Sequence, residues 1–294
     1  MDTVHAVGTL ERAPFRVEAE RVWGPGAYDM KGGLAVALLA LDLLRESGGD
    51  APSSLTFLVT SDEEVGSPTS RPLIERLGRE SRAALVLEPC VPGGAVKVRR
   101  KGVSGYRVAV HGRPAHAGIE PDRGASAVHE LARWILVALA LEDREAGTRL
   151  NVGEIWGGTR SNVVAEEATA EVDVRFWTRE EAERVDAALR AVPPGDERCR
   201  IELEGGLNRW PLERTPESEA LYERARAAAR VLGLELGAGG TGGASDGNLT
   251  SGVGCPTLDG LGPDGGGAHS LDEHVLREDI PRRIALLAEL LTVL

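Results

Sequence analysis

Residues 54–87 read SLTFLVTSDEEVGSPTSRPLIERLGRESRAALVL, and this stretch decides the expected fold class. Residues 54–60 are largely apolar and rich in β-branched and aromatic side chains, which predicts a buried strand. A short helix is predicted over residues 71–77, because a proline at position 72 is tolerated in a first helical turn. Residues 82–87 predict a second buried strand. Apolar strands separated by a helix indicate a parallel sheet with helices on both faces.

A second helix is predicted upstream, over residues 31–44, because KGGLAVALLALDLL is long and rich in alanine and leucine. Downstream, the pattern changes near residues 101–102. Strands and amphipathic helices then follow in the order β-α-β-β-α-β, which is the split, ferredoxin-like arrangement. The predicted ranges are 103–110, 125–141, 149–156, 169–176, 179–189 and a last strand that opens at 200–203.

The remainder of the chain returns to a helix-and-strand pattern, with predicted elements at 217–232, 256–259 and 280–294. The predicted fold class is therefore α/β: a three-layer α/β/α catalytic domain interrupted by an inserted α+β, ferredoxin-like domain. We expect the catalytic domain at residues 1–100 and 208–294. The inserted domain is expected at residues 101–207.

Composition excludes several classes of protein. The 34 Lys and Arg against 46 Asp and Glu leave a net charge of −12, which argues against a nucleic-acid partner. No apolar run reaches the roughly 18 residues of a membrane-spanning helix, so no membrane partner is expected. The 3 cysteines form no pattern, which argues against a disulfide framework and predicts a cytoplasmic location.

The strongest chemical signal is SDEEVGS at residues 61–67, directly after the first predicted strand. Three adjacent carboxylates, Asp62, Glu63 and Glu64, repel one another, and a metal ion or a cationic substrate would relieve that repulsion. Ligands of open α/β sheets also bind at strand ends. A solvated acidic turn is the ordinary alternative.

Three further residues have weaker settings. Asp29 precedes the helix at residues 31–44, Glu88 ends an apolar strand, and His269 lies in a glycine-rich loop. Taken singly, these residues suit a helix cap, a solvent-facing acid and a surface histidine. Taken together with the acidic turn, they make a ligand set suited to zinc. One of Glu63 and Glu64 can then bind metal while the other serves as a general base.

The segments GPGAYDMKGG, SDEEVGS, LEP, GRPAHAG and GGASDGN…GGGAHS follow one another along the chain. In this order they resemble the co-catalytic zinc peptidases of the glutamate carboxypeptidase, aminoacylase and succinyl-diaminopimelate desuccinylase type. The resemblance covers essentially the whole chain and is closest to the glutamate carboxypeptidase branch. It implies a zinc-dependent amide hydrolase with two zinc ions per subunit, acting as a homodimer through the inserted domain.

The resemblance also assigns roles to the metal-binding residues. Asp29 would bridge the two zinc ions, Glu64 and His269 would bind one, and Glu88 would bind the other. Glu63 would be the general base, and the peptide bond after Asp29 would be cis. Asp2 matches the aspartate of a His-x-Asp motif, which orients a histidine ligand.

The chain departs from this motif at its start, which reads Met1-Asp2-Thr3-Val4. The histidine ligand would lie immediately before Met1, so we expect it to be absent, together with the strand and helix that relatives place upstream. Either the chain is a fragment or its start is assigned late. On this expectation it binds at most one zinc ion tightly and is nearly inactive.

Further residues match family positions in and after the inserted domain. His116, within RPAHAG, matches a histidine that reaches the partner subunit's active site and polarises the scissile carbonyl. Asn162 and Arg175 match substrate contacts. Arg209 resembles the arginine that holds the substrate's terminal carboxylate, for which a guanidinium is well suited.

These residues predict a carboxypeptidase that releases a C-terminal glutamate or a similar amino acid from a small peptide or an N-acyl amino acid. An N-acyl-amino-acid deacylase is the alternative enzyme, because the same machinery cuts either kind of amide. A non-catalytic dimerising remnant is the alternative outside the enzymes, because the first histidine ligand is absent.

Overall fold

The structure is a computed structural model that describes residues 2–49 and 52–294. It divides into two compact units: Met1–Arg100 with Leu212–Leu294, and Lys101–Pro211. We call them the discontinuous unit and the inserted unit. The inserted unit ends at Pro211, where the sequence predicts residue 207. Within the described residues, no helix combines the length and the apolar character that a membrane crossing requires.

The described residues contain helices α1 to α8, numbered along the chain. Their bounds are Thr9–Arg12, Gly32–Ser47, Arg71–Glu80, Ala127–Leu139, Arg179–Arg190, Pro216–Val231, Gly247–Gly252 and Asp279–Thr292. Strands β1 to β12 are Arg16–Val17, Arg21–Trp23, Ala84–Leu85, Val96–Arg100, Gly102–His111, Arg149–Gly157, Glu167–Phe176, Arg200–Arg209, Ala238–Thr241, Thr257–Leu258, Gly265–Gly266 and His274–Leu276.

The discontinuous unit is built on short strand pairs. Strands β3 and β10 pair in parallel, as do β4 and β9, while β1, β2, β12 and β11 form an antiparallel sheet in that order. Apolar side chains of α2, α6 and α8 pack with those of β4 and β10 in one core. The predicted α/β character follows from helices that cover parallel pairs.

The buried strand predicted over residues 54–60 is wrong. In the structure this segment is irregular, and Leu55, Phe57 and Val59 are exposed. The segment lines a cavity of about 900 Å³ together with α2, α3 and the end of α8. A strand needs a hydrogen-bonding neighbour; among the described residues, β3 pairs with β10 and no strand pairs with residues 54–60. The strand predicted over residues 82–87 is likewise reduced to Ala84–Leu85.

The inserted unit follows the predicted β-α-β-β-α-β order. Its four antiparallel strands lie in the order β6-β7-β5-β8. Side chains of β5 alternate between a buried and an open face, and the buried ones pack with α4 and α5 around Trp134. The helices α4 and α5 are capped by Ser126 and Thr178, whose hydroxyl groups accept the N–H groups of His129 and Glu181. Its ferredoxin-like topology is confirmed.

Candidate metal centre

Three of the predicted metal ligands lie together in the discontinuous unit. One ligand atom each of Asp29, Glu64 and His269 lies within 4.8 Å of the other two. His269 Nε2 is 3.4 Å from Asp29 Oδ2 and 3.6 Å from Glu64 Oε2. The described residues contain one such group of potential ligands. Its chemistry, two carboxylates and an imidazole, fits a zinc ion.

Asp29 belongs to an irregular helical turn, Ala27–Lys31, that is broken at Asp29 and Met30, and the peptide bond between these two residues is cis, as the resemblance implies. The turn leads directly into α2. At its start Gly33 lies against the carbonyl of Leu87, where a Cβ atom would come within 1.9 Å of the oxygen. Only glycine permits this approach, which brings the Asp29 turn beside Glu88.

Glu63 and Glu64 lie on a short helical turn, Glu63–Val65. The N–H of Glu64 donates to Asp2 Oδ2 at 3.0 Å, so Asp2 contacts the turn that carries a predicted ligand. Ser67, which is buried and has a φ of 59°, follows the turn and donates its hydroxyl to Asp246. A non-glycine residue in the left-handed region is uncommon and marks a constrained loop.

Asp62, the third acid of this run, has a structural role. Its Oδ2 accepts the N–H groups of Thr69 at 2.8 Å and Ser70 at 3.0 Å, at the approach to α3. Hydrogen bonds from Ser70 are the largest cause of a lowered pKa at Asp62. The acidic run is therefore divided between a loop anchor and the two residues of the candidate site.

Glu88 lies outside the group formed by Asp29, Glu64 and His269, and it faces the buried guanidinium of Arg100. Arg100 Nη2 is 3.9 Å from Glu88 Oε2, while the same guanidinium donates to both carboxylate oxygens of Asp259 at 2.7 and 3.0 Å. Arg100 also donates to the carbonyls of Gly243 and Ala244. The Arg100–Asp259 pair thus connects the Glu88 strand end to the glycine-rich loop.

The carboxyl groups of Asp29, Glu64 and Glu88 all have raised pKa values. Burial raises the pKa of Asp29 and the pKa of Glu64, and it raises the pKa of Glu88 well above its ordinary range. The charge of Asp29 raises the pKa values of both glutamates further, against the opposing charges of His269 at Glu64 and Arg100 at Glu88. A bound cation would reverse these shifts, because it favours the charged form of each carboxyl.

His269 lies in the loop between β11 and β12, with a φ of 64°. Gly267, two residues earlier, has a φ of 74°, and a Cβ atom there would come within 2.5 Å of the carbonyl oxygen of Asp272. Glycine is therefore required at position 267 by the loop's backbone. His5, by contrast, hydrogen-bonds Glu273 and is not part of the candidate ligand group.

His116 and Asn162 are neighbours in the inserted unit, and both are exposed. The N–H of Ala117 donates to the carbonyl of Asn162 at 3.0 Å, and the N–H of Gly118 donates to His116 Nδ1 at 3.1 Å. Because Nδ1 accepts, a neutral His116 carries its proton on Nε2. The ring therefore offers an N–H donor to a bound molecule.

Arg175 and Arg209 occupy matching positions on either side of Val103, in β7 and β8. Directly opposed residues of antiparallel strands share a face, so the two arginines lie on the same side of the sheet. Arg175 forms a two-pronged bond to Asp173, at 2.7 and 2.9 Å, while Arg209 is buried. The guanidinium of Arg175 is thus already engaged by a carboxylate.

Sequence reasoning missed the groups that support these residues, above all Glu273, Asp246 and the Arg100–Asp259 pair. Glu273 and the Arg100–Asp259 pair lie outside the motifs quoted above, whereas Asp246 lies within GGASDGN but was given no role. An acid four residues after His269 is a weak signal that the sequence did offer.

Comparison with known proteins gives one family. The model of Peptidase family M20/M25/M40 matches residues 1–293. Carboxypeptidase G2 from Pseudomonas sp. (strain RS-16) is 32% identical over 299 residues, covering 99% of this chain and 71% of that protein. A succinyl-diaminopimelate desuccinylase from Verminephrobacter eiseniae is 31% identical over 276 residues, covering 88% of this chain and 67% of that protein.

Two solved structures share the fold. An aminopeptidase, PepT, from Bacillus cereus has a TM-score of 0.82 at 22% identity, covering 95% of this chain and 75% of that one. An M20 family metallo-carboxypeptidase from Sulfolobus solfataricus has a TM-score of 0.72 at 17% identity, covering 99% and 83%. The fold class and the resemblance inferred from the sequence are confirmed.

Proposed function

Because the chain belongs to Peptidase family M20/M25/M40, we propose that this amide-bond hydrolase is a zinc-dependent carboxypeptidase that releases a C-terminal glutamate or a similar amino acid. The observation that carries the proposal is the group formed by Asp29, Glu64 and His269, with Glu63 adjacent in the chain. The likeness to carboxypeptidase G2 supports the carboxypeptidase type.

We assign two zinc ions per subunit of the complete protein. Asp29, Glu64 and His269 would hold one ion, and Asp29 with Glu88 would hold the other. The raised pKa values of the three carboxyls, which burial and mutual repulsion cause, support a site completed by cations. A bound zinc ion would supply Lewis acidity and would lower the pKa of a water ligand toward about 7.

The chain's own residues then carry the proton. Glu63, as general base, takes a proton from the attacking water and afterwards donates it to the leaving amine nitrogen. Asp2 supports this turn through its hydrogen bond from the N–H of Glu64. His116 of the partner subunit donates Nε2–H to the developing oxyanion, which its tautomer favours, because Nδ1 accepts the N–H of Gly118.

The substrate would be held by side chains of the inserted unit. Arg209 would bind the terminal carboxylate, with Asn162 and Arg175 as further contacts. The shared face of Arg175 and Arg209 supports this arrangement. A small peptide or an N-acyl amino acid is the substrate class that these groups suit, since its free carboxylate pairs with a guanidinium.

We assign a homodimer formed through the inserted unit. Strand β6 is an edge strand of its sheet, and Ile155 and Trp156 on it are exposed. Leu136 on α4 is 70% exposed. An edge strand beside exposed apolar side chains is suited to pairing with a second copy. The cytoplasmic location stays a prediction from the sequence.

A deacylase is the second candidate, because succinyl-diaminopimelate desuccinylases match the chain at about the same identity as carboxypeptidase G2. The two reactions differ in what the enzyme recognises on the acyl side of the amide. A carboxypeptidase requires the free carboxylate of the released amino acid, whereas a desuccinylase also requires the carboxylate of the acyl group.

The test is a matched set of substrates on the zinc-loaded protein: N-benzoyl-glutamate, its α-amide, N-succinyl-leucine and N-benzoyl-leucine. A carboxypeptidase of the proposed type cleaves the first and rejects the α-amide, and Arg209→Ala should abolish that preference. Arg107→Ala is the control, since Arg107 is a paired arginine on the same sheet. Preference for N-succinyl-leucine supports the deacylase. No cleavage with one zinc ion or none per chain supports the non-catalytic remnant.

A further inference from the structure

A carboxylate outside the predicted ligand set has four hydrogen bonds that meet beside the candidate metal centre. Glu273 lies in the loop after His269 and is only 1% exposed. Its Oε1 accepts the N–H groups of Tyr28 at 3.0 Å and Asp29 at 2.8 Å. Its Oε2 accepts the N–H of Gly26 at 2.6 Å and lies 2.7 Å from His5 Nε2.

We propose that Glu273 is a positioning residue that fixes the backbone of the Asp29 turn and thereby holds the Asp29 carboxylate toward Glu64 and His269. The anchoring of the turn follows from the contacts of Glu273 alone. Its consequence for metal binding rests on the proposed function, because Asp29 is a metal ligand only if that proposal holds.

The three backbone contacts require both oxygens of Glu273 to act as hydrogen-bond acceptors. A carboxylate offers about four lone-pair sites and no donor, and Glu273 directs them at three N–H groups and one imidazole. A glutamine of the same shape would turn one acceptor into an NH2 group that faces donors. Glu273→Gln therefore leaves at least one N–H group of the turn, such as that of Gly26, without its acceptor, which is costly in the interior.

Glu273 also connects the chain segments that carry Asp29 and His269. It follows His269 by four residues in the chain and bonds the N–H of Asp29, so a single side chain links the histidine loop to the aspartate turn. The N-terminal segment extends this link. His5 bonds Glu273, and Asp2, three residues earlier, accepts the N–H of Glu64. The segments that carry Asp29, Glu64 and His269 are thus joined by carboxylates that would not themselves touch the metal.

Glu130 provides a matched control for this role. It is 4% exposed and accepts the N–H groups of Gly195 at 2.9 Å and Asp196 at 3.1 Å, so it too anchors a loop by backbone hydrogen bonds. It lies in the inserted unit, and none of its partners belongs to the candidate site. A general loss of stability should therefore appear in Glu130→Gln as well, whereas an effect on the Asp29 turn should not.

The experiment compares wild type, Glu273→Gln and Glu130→Gln by two measurements. The first is hydrogen–deuterium exchange of the metal-free proteins, followed in a peptide that spans residues 24–31. We expect exchange there to become at least about 10-fold faster in Glu273→Gln only, since the turn opens locally. The second is a Co²⁺ titration followed by visible absorption, in which Glu273→Gln should bind about 10- to 100-fold more weakly and show altered bands.

His5→Phe keeps the test decisive if Glu273→Gln does not fold. It removes one of the four hydrogen-bond partners of Glu273 and leaves Glu273 in place, so exchange at residues 24–31 should rise by a smaller factor. Unchanged exchange in Glu273→Gln, or in His5→Phe should the first variant be unfolded, overturns the proposal. Failure of the proposed function has a different signature: the wild type then binds no Co²⁺, while exchange at residues 24–31 still responds to Glu273→Gln.

Discussion

Glu130 in the inserted unit and the partly buried acids of the candidate site in the discontinuous unit are in opposite electrostatic settings. In the inserted unit, Glu130 receives two hydrogen bonds from Arg133 and two from backbone N–H groups. Burial alone would raise the pKa of Glu130, but these bonds lower it below its ordinary value. In the discontinuous unit, Asp29 and Glu64 face one another and His269, and burial raises the pKa of each.

Glu130 is thus an acid that supports the fold, whereas Asp29 and Glu64 are acids whose charges a bound cation would stabilise. Glu130 has its own cation and donors inside the chain, so its charge is stabilised by folding. The acids of the candidate site repel one another, so folding makes their charges less favourable. A protein keeps such an arrangement where an external cation or a reaction uses it. The predictions below can break or sharpen this distinction.

The largest effect is expected at Glu63. In a form of the protein that binds both zinc ions, Glu63→Gln should lower the rate of hydrolysis by at least the roughly 10²–10⁴-fold of a lost general base, while the zinc content stays unchanged. Glu64→Gln should instead lose zinc. Turnover and metal analysis on the same preparations check both, with Glu130→Gln as the fully active control. Loss of zinc in Glu63→Gln and its retention in Glu64→Gln would mean that the two roles are reversed.

The second prediction uses both units at once. His116→Ala and Glu63→Gln should each be nearly inactive alone, but mixed subunits should regain activity, because a hybrid dimer has one composite site with both residues intact. Random exchange makes half the dimers hybrid, so recovery should approach roughly a quarter of the wild-type rate. If subunits demonstrably exchange and activity stays absent, His116 acts within its own chain or plays no part.

The third prediction concerns zinc and stability. Zinc at about 100 times its dissociation constant should stabilise the wild type by about 2.7 kcal/mol, because it binds the folded state alone. Thermal unfolding with and without zinc measures the shift. Glu130→Gln should retain it and Glu64→Gln should lose most of it. An equal shift in both variants would place the stabilising zinc away from the acids of the discontinuous unit.

The smallest effects concern the metal-free protein. Glu130→Gln should cost about 1–3 kcal/mol, since buried N–H groups lose a charged acceptor. Glu64→Gln should be neutral, or stabilising by less than about 1 kcal/mol, because it removes a charge that folding disfavours. Urea unfolding in the presence of a chelator checks both values. A large cost for Glu64→Gln would show that Glu64 also supports the fold.

The same pair should respond to pH with opposite signs. The pKa of Glu64 is raised above its ordinary 4.5, so its favourable contribution is present below that value and is lost as pH rises. The pKa of Glu130 is lowered, so its contribution is present above 4.5 and is lost as pH falls through its folded value. Raising the pH should therefore make Glu64→Gln more stable relative to wild type and Glu130→Gln less stable.

Periodicity predicted most of the inserted unit, because its strands and helices each bury one face against a common core. The alternation of buried and open residues in β5 and the helices α4 and α5 all follow the sequence pattern. The segment at residues 54–60 shows the opposite case. Its apolar pattern predicts a strand, but a strand forms only where another strand supplies hydrogen bonds, and pattern alone does not reveal the partner.

Sequence by itself determined the residue types of the site: an acidic pair after an apolar run, an aspartate before a helix, and a histidine among glycines. These are local features, and the chemistry of each side chain is independent of the fold. Tertiary structure alone decided which of them meet. It brings Asp29, Glu64 and His269 together, sets Glu88 beside Arg100, and directs Glu273 at the Asp29 turn. Those contacts join residues up to some 240 positions apart, and only the packing of the whole unit fixes such distances.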